Sequence, residues 1–239
     1  MKNMESVFEV NFRGPVGSYF NKMRKGCRVV NSEVYRNMDD DKVYPTNRRW
    51  LQFLNGAEKI TQGYIDPNGK VRISELAQKK YGYKILECGD PVKFIRGLSS
   101  CNPKYRTVLK GAPEESEQID GFSIPGKKRL YFRRGISIGQ KNFVVAHELS
   151  HFLLGHKGKV FYKTSGNPKI LHEKEEYSEE ADRLAGILLM PHIYMQDLLD
   201  TPNNELVGRF DVPERAVEKR KTEVEREITV FCYTPATVS

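Results

Sequence analysis

FVVAHELSHFLLGH, residues 143–156, sets two histidines four residues apart with a glutamate directly after the first. Phe143, Val144, Leu149, Phe152 and Leu153 recur with the period of an amphipathic helix, which Asn142 would cap and Gly155 would stop after about three turns. Positions i and i+4 lie one above the other on a helix, so His147 and His151 present two imidazoles to a single point. Glu148 stands about 100° round from His147 and about 60° from His151, at the edge of that face. Zinc accepts imidazole nitrogens, and a catalytic zinc combines three protein ligands with a water. The metal acidifies that water and a neighbouring carboxylate takes its proton. A buried helix that merely carries histidines must account for both of them and the glutamate together. With 5 His and 21 Glu in 239 residues, the pattern arises by accident on the order of once in a hundred such chains. The spacing therefore points to Zn2+ on His147 and His151, with Glu148 as general base.

The composition suits a soluble globular protein, with 38% hydrophobic and 29% charged residues. A chain of 239 residues is long enough for one large domain or two small ones. The opening MKNMESVFEVNFRG lacks the apolar centre of a signal peptide, and no stretch approaches the roughly 18–20 apolar residues of a membrane span. Cys27, Cys88, Cys101 and Cys232 are scattered with no CxxC pair, which argues against a cysteine zinc site or a disulfide framework. The expectation is a cytoplasmic protein without membrane contact. A peptidase there must be restricted in what it cuts.

Charge is unevenly placed. Residues 1–110 carry a net charge of about +10 and residues 111–239 about −2. Clusters such as NKMRKGCR (21–28) and NRRW (47–50) suit a solvated basic face, and equally a contact with nucleic acid or an acidic partner.

Along the chain, residues 1–69 read as mixed and partly helical, with turns at GPVG, YPTN and DPNG. Ser74 is expected to cap a short helix, ELAQKKYGY, that runs into a strand, YKILEC. GAPEESEQ (111–118) reads as a loop, and DGFSIPGKKRLYFRRG as a hairpin joined by Pro-Gly. The histidine helix follows, then a Gly- and Lys-rich loop. EEYSEEADRLAGILLMP (175–191) reads as a second helix ended by Pro191, with apolar positions at 181, 184, 185 and 188. Acidic residues in its first turns suit the helix dipole on their own account.

The order ISELAQKKYGY, strand, DGFS hairpin, FVVAHELSHFLLGH and EEADRLAGILLMP resembles the ImmA/IrrE family of zinc metallopeptidases over roughly residues 70–225. The tail ELVGRFDVPERAVEKR (205–220) is similar to that family's helix–turn–helix-like C-terminal segment. The resemblance implies an α+β fold, a compact zincin-like metallopeptidase domain with the HExxH helix packed on a small sheet. The basic excess of residues 1–69 and their poor match to the family suggest an accessory region there, and the resemblance implies the peptidase domain at 70–200 and the helix–turn–helix-like segment at 201–239. It implies a site-specific endopeptidase acting on a protein substrate, a DNA-binding helix–turn–helix repressor, so that mobile-element or stress genes are derepressed. The other reading is a non-catalytic metal-binding module that sequesters a regulatory partner or binds nucleic acid through residues 1–110.

Carried over position by position, His147 and His151 match the zinc-binding histidines and Glu148 the general base. Asp182 matches the residue that hydrogen-bonds a ligand from behind. The family's third ligand is a glutamate four residues before Asp182, where this chain has Ser178. Glu179 is the expected substitute and Glu175 the next, while Glu180 should point away from the metal. His156, His172 and His192 are further candidate ligands with surface or capping roles as the ordinary alternative. Tyr177 or Tyr162 could donate to an oxyanion. PERAVEKRKTEVEREI (213–228) mixes its charges evenly, which suits a solvated helix better than one lying in a major groove.

Overall fold

The computed structural model describes residues 47–101, 119–156, 161–164 and 175–232. The basic cluster at 21–28, the stretch 111–118 and His172 lie outside the described residues. In chain order the elements are α1 (Asn47–Thr61), α2 (Ile73–Glu75, continued as a π-helical turn, Leu76–Lys80), β1 (Lys84–Cys88), α3 (Pro91–Cys101), β2 (Ile119–Ile124), β3 (Arg129–Arg133), α4 (Ile138–Leu153), β4 (Phe161–Thr164), α5 (Glu175–Leu189), α6 (His192–Met195), α7 (Asn203–Phe210) and α8 (Glu214–Cys232). This is the expected α+β architecture. The hairpin and both long helices lie where their patterns place them.

The sheet has the order β1-β3-β2-β4. β3 runs parallel to β1, and β2 runs antiparallel to both β3 and β4. β2 is buried along its whole length, because both of its faces are covered. Phe122 and Ile124 pack with Ile95 of α3, and the Phe122 ring stacks on Tyr131 at 4.6 Å. On the other face β2 meets α4. A Cβ at Gly121 would stand 2.2 Å from Val144 Cγ1, so only glycine lets the helix come this close. β4 was not expected, since its four residues lie in what reads as a lysine-rich loop.

α4 begins earlier than the sequence suggests. Ser137, not Asn142, is the cap: its side chain accepts from Gln140 N while Gln140 returns a bond to the Ser137 amide, a reciprocal capping box. Asn142 instead donates to Asp211 O at 3.1 Å, tying α4 to the left-handed turn after α7. Gly155, at φ +69°, ends the helix as expected. Ser74 is likewise inside its helix and makes no cap; Arg72 holds that position.

Two expected boundaries give way to one continuous core. Phe53, Ala57 and Ile60 of α1 are buried in the same cluster as Leu149 and Leu153 of α4 and Leu184 of α5. The described part of residues 1–69 therefore contributes side chains to this core. Leu206, Phe210, Val212, Val217 and Val224, from the supposedly separate segment 201–239, join the same cluster. α8 keeps a solvated face, with Glu218, Lys219, Glu225 and Arg226 exposed, but it also turns charges inward. Arg220, Glu223 and Glu227 are buried, and the charges pair internally where an even mix of signs suggested water. Arg220 donates to Glu227 Oε1 at 2.6 Å and Oε2 at 3.1 Å, and to Met190 O at 3.1 Å. His192 closes the cluster on Glu227. No helix among the described residues is long and apolar enough to cross a membrane.

Two outcomes follow from this packing. Phe53→Ala should lower the unfolding free energy by about 3–5 kcal/mol, the usual cost of emptying a buried aromatic site; urea denaturation measures it, and a change within 0.5 kcal/mol, an ordinary surface effect, would return α1 to the periphery. Glu227→Gln should cost about 3–5 kcal/mol at neutral pH by stranding buried Arg220. Burial alone would raise the Glu227 carboxyl, but the Arg220 charge and bonds from His192 and Arg220 outweigh it and hold it below the ordinary range. Its stabilisation is thus complete above the unfolded glutamate pKa of about 4.3 and lost as pH falls through the lower folded value. The gap between parent and variant should close in acid.

Candidate metal centre

Three titratable side chains of α4 are driven into the interior. His147 and His151 are 0% exposed and Glu148 is 1% exposed. Each is met by a polar partner from a different part of the chain, as burial requires. The histidines face one another with their Nε2 atoms 3.0 Å apart. Burial, above all, pushes both imidazoles below the usual histidine range, so both are neutral near pH 7.

α5 sets Asp182 behind His147, with Oδ1 2.7 Å from Nδ1. β4 adds Lys163, whose ammonium donates to both Asp182 oxygens at 2.7 and 2.8 Å. Burial works to raise the Asp182 carboxyl, but the His147 contact and the Lys163 charge prevail and hold it well below the carboxylate range. An ionised carboxylate only accepts, so His147 carries its proton on Nδ1 and its lone pair on Nε2. From β2, Ser123 donates to Glu148 Oε2 at 2.6 Å and holds that carboxylate in one rotamer. Beyond Gly155 the chain turns back, so that His156 Nδ1 lies 2.9 Å from His151 Nδ1. His156 stacks on Tyr177 at 4.2 Å, and its Nε2 lies 3.2 Å from Glu180 Oε2.

The donor set fits two ligands of a metal. Two neutral imidazoles bound at about 2.0–2.1 Å in a tetrahedral site would hold their nitrogens roughly 3.3 Å apart, close to the observed 3.0 Å. The third ligand is not assembled with them. Among the described residues no group of three or more His, Cys, Asp or Glu could hold a metal ion.

The expected substitute, Glu179, is half-buried on α5. Ser178 and Asp182, four apart, share a face, and Glu179 is a further 100° or so round. There it acts with Glu223 and Glu180 on Arg183, offsetting the burial that lowers that guanidinium's pKa. Glu180, expected to point away from the metal, reaches His156 behind His151. Glu175 opens α5, and its side chain lies outside the described residues, as does that of Tyr162. His192 is engaged by Glu227 of α8. Sequence reasoning passed over Ser123, visible only as the last residue of DGFS, and Lys163, for which the sequence carries no signal.

Residues 106–222, just under half of the chain, match the Peptidase_M78 family model, described as an IrrE N-terminal-like domain. That span is similar to a Peptidase_M78 domain. The resemblance to the ImmA/IrrE family read from the sequence is borne out over that span, which contains the whole described site and implies a metal. No curated protein matches the chain.

The purified protein should carry close to one equivalent of divalent metal, and the double variant His147→Ala/His151→Ala should carry none. Equal metal content in the two, by elemental analysis, would remove the site.

Proposed function

We propose that the chain is a zinc-dependent, site-specific endopeptidase of the cytoplasm that cuts a regulatory protein, and that its substrate is a DNA-binding helix–turn–helix repressor. The observation that carries the chemistry is a buried glutamate held beside two neutral imidazoles whose Nε2 atoms converge. Zinc, when bound, supplies Lewis acidity towards a water and a scissile carbonyl. His147 and His151 would hold it. Asp182 and Lys163 keep His147 in the tautomer that ligation needs. Glu148 takes a proton at its carboxylate and passes it to the departing amine, while Ser123 keeps that carboxylate from swinging towards other donors.

Glu175 is the third protein ligand in this reading. Positions 175, 178 and 182 fall on one face, because seven residues turn a helix by about 700°, within about 20° of two full turns. A glutamate one turn earlier thus takes over from the serine at 178. A second reading rests on the same serine: a metal-binding module that sequesters its partner without cutting it. The cations of the described part of residues 1–110 give little support to a nucleic-acid surface. Lys70 pairs with Asp211, Arg72 and Lys79 with Glu75, and Lys93 with Asp90.

The deciding assay incubates the zinc-loaded protein with a candidate repressor encoded beside it. Glu148→Gln should retain zinc and lose cleavage by 100-fold or more, within the 10²–10⁴ range for general-base removal. Glu175→Ala should lower zinc affinity where Glu179→Ala does not. Binding without cleavage in the parent, unaffected by Glu148→Gln, would establish sequestration instead.

A further inference from the structure

We propose that His156, backed by Glu180, is the positioning residue for His151, fixing its tautomer as Asp182 fixes that of His147. The proposal rests on the metal-binding part of the reading above and is independent of whether the chain cuts a protein.

The argument runs through hydrogen-bond polarity. Glu180 Oε2 lies 3.2 Å from His156 Nε2, and an ionised carboxylate can only accept, so Nε2 carries the His156 proton. A neutral His156 then offers only a lone pair at Nδ1. The atom facing it at 2.9 Å is His151 Nδ1, which must therefore donate. His151 is left with its lone pair on Nε2, directed at His147 Nε2. On the other side, Asp182 gives His147 the same polarity. Two lone pairs aimed at one point suit a cation and would oppose one another in a purely hydrogen-bonded core.

The two supports differ in construction. His147 meets its carboxylate directly, on α5. His151 meets one only through a second imidazole, because α4 has ended and the carboxylate stands farther off. The turn at Gly155 (φ +69°) makes this geometry available, and the backbone bond from His156 N to His151 O at 3.0 Å holds it. Tyr177, stacked on the His156 ring at 4.2 Å and 12°, fixes the plane of the imidazole. Tyr177 and Glu180 are three apart on α5 and so share a face, which meets His156 from two directions. His156 therefore touches the back of one ligand and is placed to orient it, with its own nitrogens committed to His151 and Glu180.

The test uses the full chain. Long-range proton–nitrogen correlation spectra of the metal-free protein should show His147 and His151 both protonated at Nδ1. His156→Ala should leave His147 unchanged and shift His151 towards the other tautomer, with zinc affinity, read by chelator competition, falling about 10- to 100-fold. Glu180→Gln, whose amide oxygen still accepts from His156, should keep both tautomers and lose only a few-fold in affinity. X-ray absorption of the zinc-loaded parent and of His156→Ala should report the same number of imidazole ligands. Should His156→Ala fail to fold, Glu180→Ala carries the test, since it removes the carboxylate that biases His156 and should shift the His151 tautomer. An unchanged His151 tautomer in the folded variants overturns the proposal, as does loss of one imidazole from the metal in His156→Ala, which would make His156 a ligand. Failure of cleavage with the tautomers as described overturns only the peptidase reading.

Discussion

Everything around the centre depends on one constraint: α4 carries two imidazoles and a carboxylate into the interior of the fold. Burying such groups without partners costs several kcal/mol each, so the fold has to bring a polar atom to each of them. Ser123 comes from β2, Asp182 from α5, Lys163 from β4, and His156 from the turn beyond the helix itself. The sheet order, with β2 central and β4 at its edge, serves this supply. β2 can approach α4 closely because Gly121 has no side chain. β4, paired to β2, then carries Lys163 to Asp182.

A second buried polar group packs against α5 nearer its C-terminal end. Arg220 of α8 is fully buried and satisfied by Glu227 and the Met190 carbonyl. The side of α5 that bears Arg183 and Gly186 meets α8, where a Cβ on Gly186 would stand 3.7 Å from the Arg220 side chain. α5 thus packs against both α4 and α8, and the two contacts together fix its rotation about its own axis. That rotation is what assigns Asp182 and Ser178 to the metal side and Glu179 to Arg183. The third-ligand question is therefore one of helix phase, decided by the packing of a helix whose charges look solvated in sequence.

Much of this was legible before any coordinates. The four-residue spacing of His147 and His151 with Glu148 between them is a property of helical geometry, and the packing of α4 only deepens it. The hairpin, the long acidic helix and the stop at Gly155 follow from local turn chemistry and apolar periodicity, which act over a few residues and survive any tertiary arrangement. A resemblance to the ImmA/IrrE family could be read from the same stretches. What failed were inferences about surroundings. Asn142 has the chemistry of a cap, but Ser137 and Gln140 form a reciprocal pair that starts the helix five residues earlier, and Asn142 is drawn to Asp211. Residues 1–69 look accessory because their charge is visible and their contacts are not. Phe53, Ala57 and Ile60 become core only because α5 supplies a surface for them.

By itself, then, the sequence determined that two imidazoles would share one helical face with a carboxylate at its edge, because bond geometry and the 3.6-residue turn leave no choice. It also determined which stretches form the hairpin and the two long helices. Only the tertiary structure decided which atoms those side chains meet. Lys163 reaches Asp182 across 19 residues, Ser123 reaches Glu148 across 25 and Asp182 reaches His147 across 35. No local preference encodes such pairings; they arise when packing brings distant segments together and buried polar groups must find partners. The same cause turned Glu179 towards Arg183 and set Glu180 on His156, an assignment that a helix drawn in isolation could not make.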